Sequence, residues 1–550
     1  MGTIEIVLAM LVAVVISGIL VRLLPLPIPT PLVQIALGAA ITSMLDHKVV
    51  LDPQVFFLLF LPPLLFLDGW RIPKEGLTHD REMILELAFG LVILTVLGMG
   101  WFIHWMIPAM PLTVAFALAA IVSPTDPIAV SSITERVAMP KRIQHVLEGE
   151  SLLNDASGLV CFRFAVAAAL TGTFSLTSAA LTFIWVAFAG IATGVGVTWA
   201  VAHLKNFISR HFGENPGSQV LISLLIPFAA YQVAEHLYCS GILAAVAAGV
   251  TMSYSELSGR ALASTRMQRT AVWDTVQFSL NGVMFVLLGE QLPGILESAV
   301  TTVQQSNHDN PWWLAVYVLA INLGLASLRF AWVWLSMSFS AFTVRRRRIE
   351  PAGVPKWRTV AAISVAGARG AITLAGVLTL PLLLDDGTLF PARDLAIFLA
   401  AGTIILSLVA ASIGLPRLLA GLNVTESGEG DQEDRARVVA SEAAIQAIEQ
   451  VVHEQAVQEQ ADDGQSDIDL YAEAAARIMD LYRHRIESRT GTEEKAQRLR
   501  RGDTIERQLR LNGLNAEREA IFAMARANTI SDEISRKLVR EIDLMEERLR

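Results

Sequence analysis

The first 423 residues alternate between long apolar segments and short polar loops, and this pattern limits the folds that the chain can adopt. A bilayer core is crossed by a helix of about 20 apolar residues. Only helices and closed barrels satisfy their backbone inside it, and segments of this length are helices. We therefore predict an all-α polytopic membrane protein with about thirteen transmembrane helices. The segments lie near residues 4–24, 30–46, 52–70, 83–107, 111–133, 144–171, 176–204, 217–237, 239–256, 271–296, 312–342, 359–384 and 394–422.

The C-terminal residues differ in composition from the segments before them. The whole chain is 53% hydrophobic and 17% charged, with a mean hydropathy of +0.49, but residues 424–550 are rich in Glu, Arg, Gln and Asp. We predict a transmembrane domain at 1–423 and a helical cytoplasmic tail at 424–550, whose apolar stripes are too amphipathic to cross a bilayer. A regulatory role for the tail is a hypothesis from its position and size. The net charge of -9 argues against a nucleic-acid partner.

Basic residues alternate between the loops. Eighteen Lys and Arg residues lie in the loops after odd-numbered segments, against two, Lys48 and Arg393, in the loops after even-numbered segments. Cytoplasmic loops carry the excess of Lys and Arg. The N-terminus is therefore predicted to lie outside and the C-terminal tail in the cytoplasm.

Two of the thirteen segments are interrupted at matching places. SPTDP at 123–127 breaks the fifth segment, and GARGAIT at 367–373 breaks the twelfth. With halves of six segments, 1 to 6 and 8 to 13, each break lies in the fifth segment of its half. Equivalent segments also have opposite orientation, as an inverted repeat requires. Paired broken spans mark the binding site of many transporters, so we predict an inverted repeat in which the two broken helices cross.

The first break offers oxygen ligands to a small cation. Pro124 and Pro127 have no N–H, so carbonyls one turn earlier lose their helical partners. Freed carbonyls and the hydroxyl of Thr125 are hard oxygen donors of the kind that line ion cavities. Asp126 either contacts the ion or holds the two broken helices together, and the residues alone leave both roles open.

The sixth segment carries four polar residues in one turn and a half. Helical spacing places Ser151 and Asp155 on one face, and Glu150 and Asn154 on the adjacent face. A carboxylate removed from water holds a proton more readily, whereas a bound cation favours its ionised form. Competition between H+ and a cation for Asp155 is enough for exchange, provided that the empty ionised form cannot reorient. Glu150 is interpreted as a structural residue, paired with Arg369 at the second break.

Five motifs in this order resemble those of the sodium/proton exchangers of the cation:proton antiporter-1 family, of the NhaP and NHE type. They are LPPLLFLDGW, SPTDPIAV, GESLLNDASG, AEHLYCSGILA and GARGAITLA, and the likeness covers roughly residues 5–420. It is greatest for the bacterial branch with a long cytoplasmic tail, which implies an inner-membrane homodimer that exchanges Na+ for H+ without a cofactor. The resemblance places cation and proton binding at Asp155, Ser151 and Thr125, an assembly role at Asp126 and Asn154, and a structural ion pair at Glu150 and Arg369.

Three positions bear on how far the resemblance extends. Family members often carry a carboxylate where this chain has Leu67, so the adjacent Asp68 is a possible accessory site residue. Arg163, a second possible accessory, is deep in the sixth segment. It neutralises Asp68, Glu235 or Glu290, or extends to the outer interface. Because Asn154 is neutral where electrogenic relatives can have aspartate, electroneutral exchange is expected.

Other functions remain open at this stage. One carboxylate and several hydroxyls do not fix the size of a cation, so a K+/H+ antiporter is the alternative within transport. The alternatives from other functional classes are a passive cation channel and a membrane aspartyl enzyme using Asp126 and Asp155. The sequence carries no nucleotide loop, zinc triad or acyl-transfer constellation, and we predict that the protein is not an enzyme.

Overall fold

A computed structural model describes most of the chain. The residues described are 3–23, 28–45, 53–72, 81–126, 139, 141–171, 176–212, 215–256, 262–305, 312–346, 357–384, 387–420, 429–459, 468–490, 493–527 and 529–549. The chain divides into two compact units, Met1–Val424 and Thr425–Arg550.

Helices make up the first unit. Within the described ranges the only β-type contact is an isolated bridge between Leu383 and Leu389. The helices are α1 Thr3–Leu23, α2 Thr30–Leu45, α3 Pro53–Arg71, α4 Arg81–Leu85, a π-helix Glu86–Leu91, α5 Val92–Met106, α6 Leu112–Val122, α7 Lys141–Thr171, α8 Leu176–Phe212, α9 Pro216–His236, α10 Gly241–Glu256, α11 Ala263–Gln305, α12 Trp312–Arg346, α13 Trp357–Val365, α14 Ala371–Leu378 and α15 Arg393–Leu419.

Many of these helices are suited to a bilayer. In the described part of the chain, eight are long and apolar enough to cross a membrane, and two further apolar helices are shorter. Their outward faces carry large apolar side chains such as Trp105, Trp185 and Trp199. The predicted all-α fold with many apolar helices is confirmed. The count of thirteen crossings remains a prediction.

The helices of this unit form two groups by their packing. Group 1 contains α1, α2, α3, α8, α9, α10 and α11, and group 2 contains the π-helix with α4, α5, α6, α7 and α12 to α15. Glycines permit the closest crossings in group 1, since a Cβ on Gly289 of α11 would overlap the carbonyl of Ile35 on α2. The groups meet where α11 packs on α14 and α15, and where α3 packs on α7 and α14.

Both predicted interruptions lie in group 2. Helix α6 ends at Val122 and residues 123–126 are not helical, because Pro124 supplies no N–H for a further turn. The continuation of this segment, 127–138, lies outside the described residues. In the twelfth segment, residues 366–370 separate α13 from α14, so that interruption is confirmed.

The second unit consists of four helices in the described residues. They are α16 Glu429–Glu459, α17 Ile468–Thr490, α18 Glu493–Arg526 and α19 Asp532–Leu549, and each packs on the next along the chain. Ion pairs link the last two, as Arg518 contacts Asp543 at 2.9 Å and also Glu546. Of the apolar residues along α19, Ile542 is buried, whereas Ile534 and Met545 are about half exposed.

Candidate functional site

The two broken segments are hydrogen-bonded to each other. The N–H of Asp126 donates to the carbonyl of Ala368 at 2.8 Å, and Nε of Arg369 donates to the carbonyl of Val122 at 2.9 Å. Gly370 lies against the carboxylate of Asp126, where a Cβ would overlap it. These contacts satisfy groups that a continuous helix would have paired internally, and they hold the ends of the two breaks together.

A buried hydrogen-bond network joins the first break to α7. Nδ2 of Asn154 donates to the hydroxyl of Thr125 at 3.1 Å and to Oε1 of Glu150 at 3.4 Å. The hydroxyl of Thr125 also donates to Oε1 of Glu150 at 3.4 Å. Helical spacing on α7 brings Glu150 and Asn154 to this one point, as the sequence predicted. The network explains how Asn154 positions the break relative to α7.

Asp155 lies beside this network and is 3% exposed. The carboxylates of Asp68, Asp126 and Glu150 are all within electrostatic range of it. Asp68 and Asp126 also influence each other electrostatically, and we call Asp68, Asp126 and Asp155, which are coupled in this way, the carboxylate cluster. A buried carboxylate among like charges needs a positive partner, which a cation or a proton supplies. Ser151, one turn earlier on α7, is buried too.

The predicted partner of Glu150 was wrong. Its carboxylate pairs with Arg329 of α12, whose Nη2 donates to Oε2 at 2.7 Å while Nη1 contacts Oε1. Arg369 instead donates to the carbonyls of Val122 and Gly367. The physical reason is that a helix break leaves carbonyls without hydrogen-bond donors. The guanidinium nearest to these carbonyls donates to them and is not available to Glu150.

The two accessory residues lie in different places. Asp68 is partly buried on α3 and belongs to the carboxylate cluster. Arg163 lies elsewhere on α7, where both Nη atoms are 3.2 Å from Oε1 of Glu235 on α9. Of the partners considered from the sequence, the described contacts therefore select Glu235.

Sequence reasoning missed several contributors to the site. The hydroxyl of Ser157 donates to the carbonyl of Ala88 in the π-helix at 2.7 Å and so fixes α7 two residues after Asp155. Oγ of Ser123 and Oδ1 of Asn154 are buried and have no hydrogen-bond partner among the described residues. Such oxygens are available to a cation or to water. Ser123 is the first residue of the SPTDP motif, so its position could have indicated a place in the site. The π-helix has no proline or other sequence feature that would have predicted it.

Crossed helix breaks, a buried carboxylate cluster and many apolar helices define a multi-pass membrane transporter. A family model described as "Sodium/hydrogen exchanger, transmembrane" matches residues 9–421. The chain belongs to this sodium/hydrogen exchanger family, which is a family of transporters and not of enzymes. The resemblance found in the motifs is thereby confirmed.

Curated relatives agree with this family assignment, and a solved structure shares the fold. YjcE of Escherichia coli K12, an uncharacterized Na+/H+ exchanger, is 41% identical over 98% of this chain and 97% of its own length. A sodium, potassium, lithium and rubidium/H+ antiporter of Bacillus subtilis is 37% identical over 98% of this chain and 77% of its own. The sodium proton antiporter MjNhaP1 from Methanocaldococcus jannaschii matches in fold with a TM-score of 0.55 at 16% identity, covering 77% of this chain and 100% of that structure.

Proposed function

We propose that this transporter exchanges Na+ or Li+ for H+ by alternating access, with both ions competing for Asp155. The observation that carries the proposal is the burial of Asp155 beside the crossing of the two breaks, within range of Asp68 and Asp126. The cluster needs one bound cation or proton to balance its charge. Movement of one helix group relative to the other would carry that ion across the membrane. The exchange would contribute to pH homeostasis.

The surrounding residues take distinct roles in this proposal. Thr125 and Ser151 supply hydroxyl ligands to the cation, and Asp126 and Asn154 assemble the crossing. Asp68 adds negative charge that attracts the cation into the cluster. Because Glu150 is neutralised by Arg329 and position 154 is an amide, Asp155 binds one charge per half cycle. Exchange is therefore electroneutral.

K+/H+ exchange is the second candidate. It is supported by the Bacillus subtilis relative, whose name includes potassium and rubidium as well as sodium and lithium. Neutral oxygens such as Oγ of Ser123 and Oδ1 of Asn154 enlarge the set of possible ligands. Neutral oxygen ligands do not by themselves fix the size of the cation that a site accepts.

The loop charges and the family support a proposal for the setting of the transporter. We place it in the bacterial inner membrane as a homodimer, with the N-terminus outside and the second unit in the cytoplasm. The second unit regulates the exchanger in this account. Surrounding lipid contacts the apolar faces of helices such as α1 and α8.

Proton flux in inside-out vesicles tests the function. Vesicles are acidified, and Na+, Li+ and K+ are then added in turn to the wild type, to Asp155→Asn and to the control Asp394→Asn. Asp394 is an exposed carboxylate at the start of α15, paired with Arg393. Na+ and Li+ should dissipate the proton gradient in the wild type and control but not in Asp155→Asn. Full exchange in Asp155→Asn would refute the assigned site, and dissipation by K+ at the same concentration would establish the second candidate.

A further inference from the structure

Arg163 belongs to a polar cluster that the exchange site does not use. Both of its Nη atoms lie 3.2 Å from Oε1 of Glu235. Tyr231 is hydrogen-bonded to both side chains, and the N–H of Gly241 donates to the same Oε1 at 3.3 Å. The Glu235 carboxylate is therefore held from three directions.

The cluster connects the two helix groups. Arg163 lies on α7, which also carries Asp155 and belongs to group 2. Glu235 and Tyr231 lie on α9, and Gly241 begins α10, both in group 1. Eight residues separate Asp155 from Arg163, about 12 Å along a helix axis. The cluster thus lies between the exchange site and the Thr171 end of α7.

The exposure of this ion pair indicates water on that side. The side chains of Arg163 and Glu235 are 43% and 35% exposed, although both lie in apolar segments. Charged side chains within membrane spans face a bundle interior or a water-filled cavity. The pair therefore lies in a solvent-accessible position between the two groups, near the His236 end of α9.

The buried pair in group 2 provides a contrast. Glu150 and Arg329 are 1% and 3% exposed, and both belong to group 2. Separating a buried pair leaves charges without solvent, whereas a half-exposed pair is solvated once it opens and contributes little to stability. The Glu150–Arg329 pair is suited to hold group 2 together permanently. The Arg163–Glu235 pair is suited to open and close.

We propose that Arg163, Glu235 and Tyr231 form a gate that closes the Thr171 side of the transport pathway. The gate is closed in this structure. It opens when α7 moves away from α9 and Asp155 becomes accessible from that side. This inference rests on the proposed alternating access, and it adds the residues that control one of the two openings.

Cross-linking of the gate gives the first test. Arg163→Cys and Glu235→Cys are combined in a parent carrying Cys161→Ala and Cys239→Ala, and a short bis-methanethiosulfonate reagent bridges them through two disulfide bonds. Exchange should fall about tenfold or more on cross-linking and return when the bridge is reduced, because a fixed gate stops the cycle. The matched control is Ser209→Cys with Gln219→Cys, whose native side chains are 3.0 Å apart on α8 and α9 within group 1. Its cross-linking should leave exchange unchanged.

Glu235→Gln gives a second test that does not depend on the cysteine pair. Weakening the closed gate favours the state open to the Thr171 side. The KM for the cation should then fall about threefold when it is added on that side and rise by a similar factor on the other, as shown in vesicles of both orientations. If the Arg163–Glu235 pair had only a structural role, Glu235→Gln would change the KM values on the two sides equally.

The possible failures are distinguishable. If the wild type carries out no cation/proton exchange, the proposed function and the gate are both wrong. If the parent exchanges and the cross-linked Arg163→Cys/Glu235→Cys protein still exchanges at the full rate, the gate alone is wrong. Equal KM changes on both sides in Glu235→Gln would also overturn the gate and leave the exchange site untouched.

Discussion

The guanidinium of Arg329 donates two hydrogen bonds to the carboxylate of Glu150, with Nη2 2.7 Å from Oε2. Nε of the same guanidinium donates to the carbonyl of Ile363 at 3.1 Å, at the end of α13. Arg329 therefore joins α12, α7 and the second broken segment at one buried point. Since Oε1 of Glu150 also accepts from Thr125 and Asn154, the pair supports the network next to Asp155.

Removing one member of this pair should destabilise the protein strongly. Glu150→Gln leaves the Arg329 charge buried without a counter-charge, at a cost of about 3–5 kcal/mol in the free energy of unfolding. Thermal unfolding of the purified protein measures the loss. A double-mutant cycle of Glu150→Gln with Arg329→Gln should show strong coupling, and the same cycle with Arg369→Gln weaker coupling. Equal coupling in the two cycles would contradict the pairing.

Gly370 should tolerate no side chain. Gly370→Ala places a Cβ on the Asp126 carboxylate at the crossing, so the two breaks must separate and exchange should be lost. The matched control is Gly196→Ala in α8, where a Cβ meets no atom within 4 Å. That replacement should preserve exchange, because Ala is favoured over Gly in a helix by about 0.5–1 kcal/mol. Active Gly370→Ala protein in the vesicle assay would argue against a tight crossing.

The charge at position 154 should set the electrical behaviour of exchange. Asn154→Asp replaces a donor by a carboxylate next to Oε1 of Glu150, which it now repels. The new carboxylate needs a second positive charge, so a membrane potential should alter the exchange rate of this variant. The wild type should show no such dependence. Proteoliposomes with a potential set by an ionophore provide the measurement, and a potential-dependent wild type would contradict electroneutral exchange.

The second unit should influence exchange without being required for it. Met1–Val424 is compact by itself, so truncation after Val424 should leave a folded membrane unit that still exchanges ions. If the second unit regulates exchange, the pH dependence of the truncated protein should differ from that of the full chain. Identical activity and pH dependence in vesicles would remove the regulatory hypothesis.

The sequence predicted those features of the fold that depend on local chemistry. Proline and glycine mark the two breaks directly, and helical spacing brings Glu150, Asn154 and Asp155 to one region of α7 because it is a property of the helix itself. The all-α architecture followed from segment length in the same way. The π-helix before α5 had no such marker, since its formation depends on packing against α7 and α12.

Partners between segments were harder to predict. Both Arg329 and Arg369 are buried in group 2, and the sequence alone does not reveal which of them is taken up by free carbonyls at the break. Arg163 had three possible carboxylate partners for the same reason. Choosing among them requires the relative positions of helices that are far apart along the chain.

Binding of Na+ to the purified protein, with the released protons counted, tests competition at Asp155 most directly. Calorimetry in buffers of different ionisation enthalpy measures both quantities in one titration. We predict that each Na+ displaces one proton over the working pH range, that lowering the pH weakens binding, and that Asp155→Asn abolishes both the binding and the proton release. Na+ binding without proton release in the wild type, or binding retained in Asp155→Asn, would contradict the account.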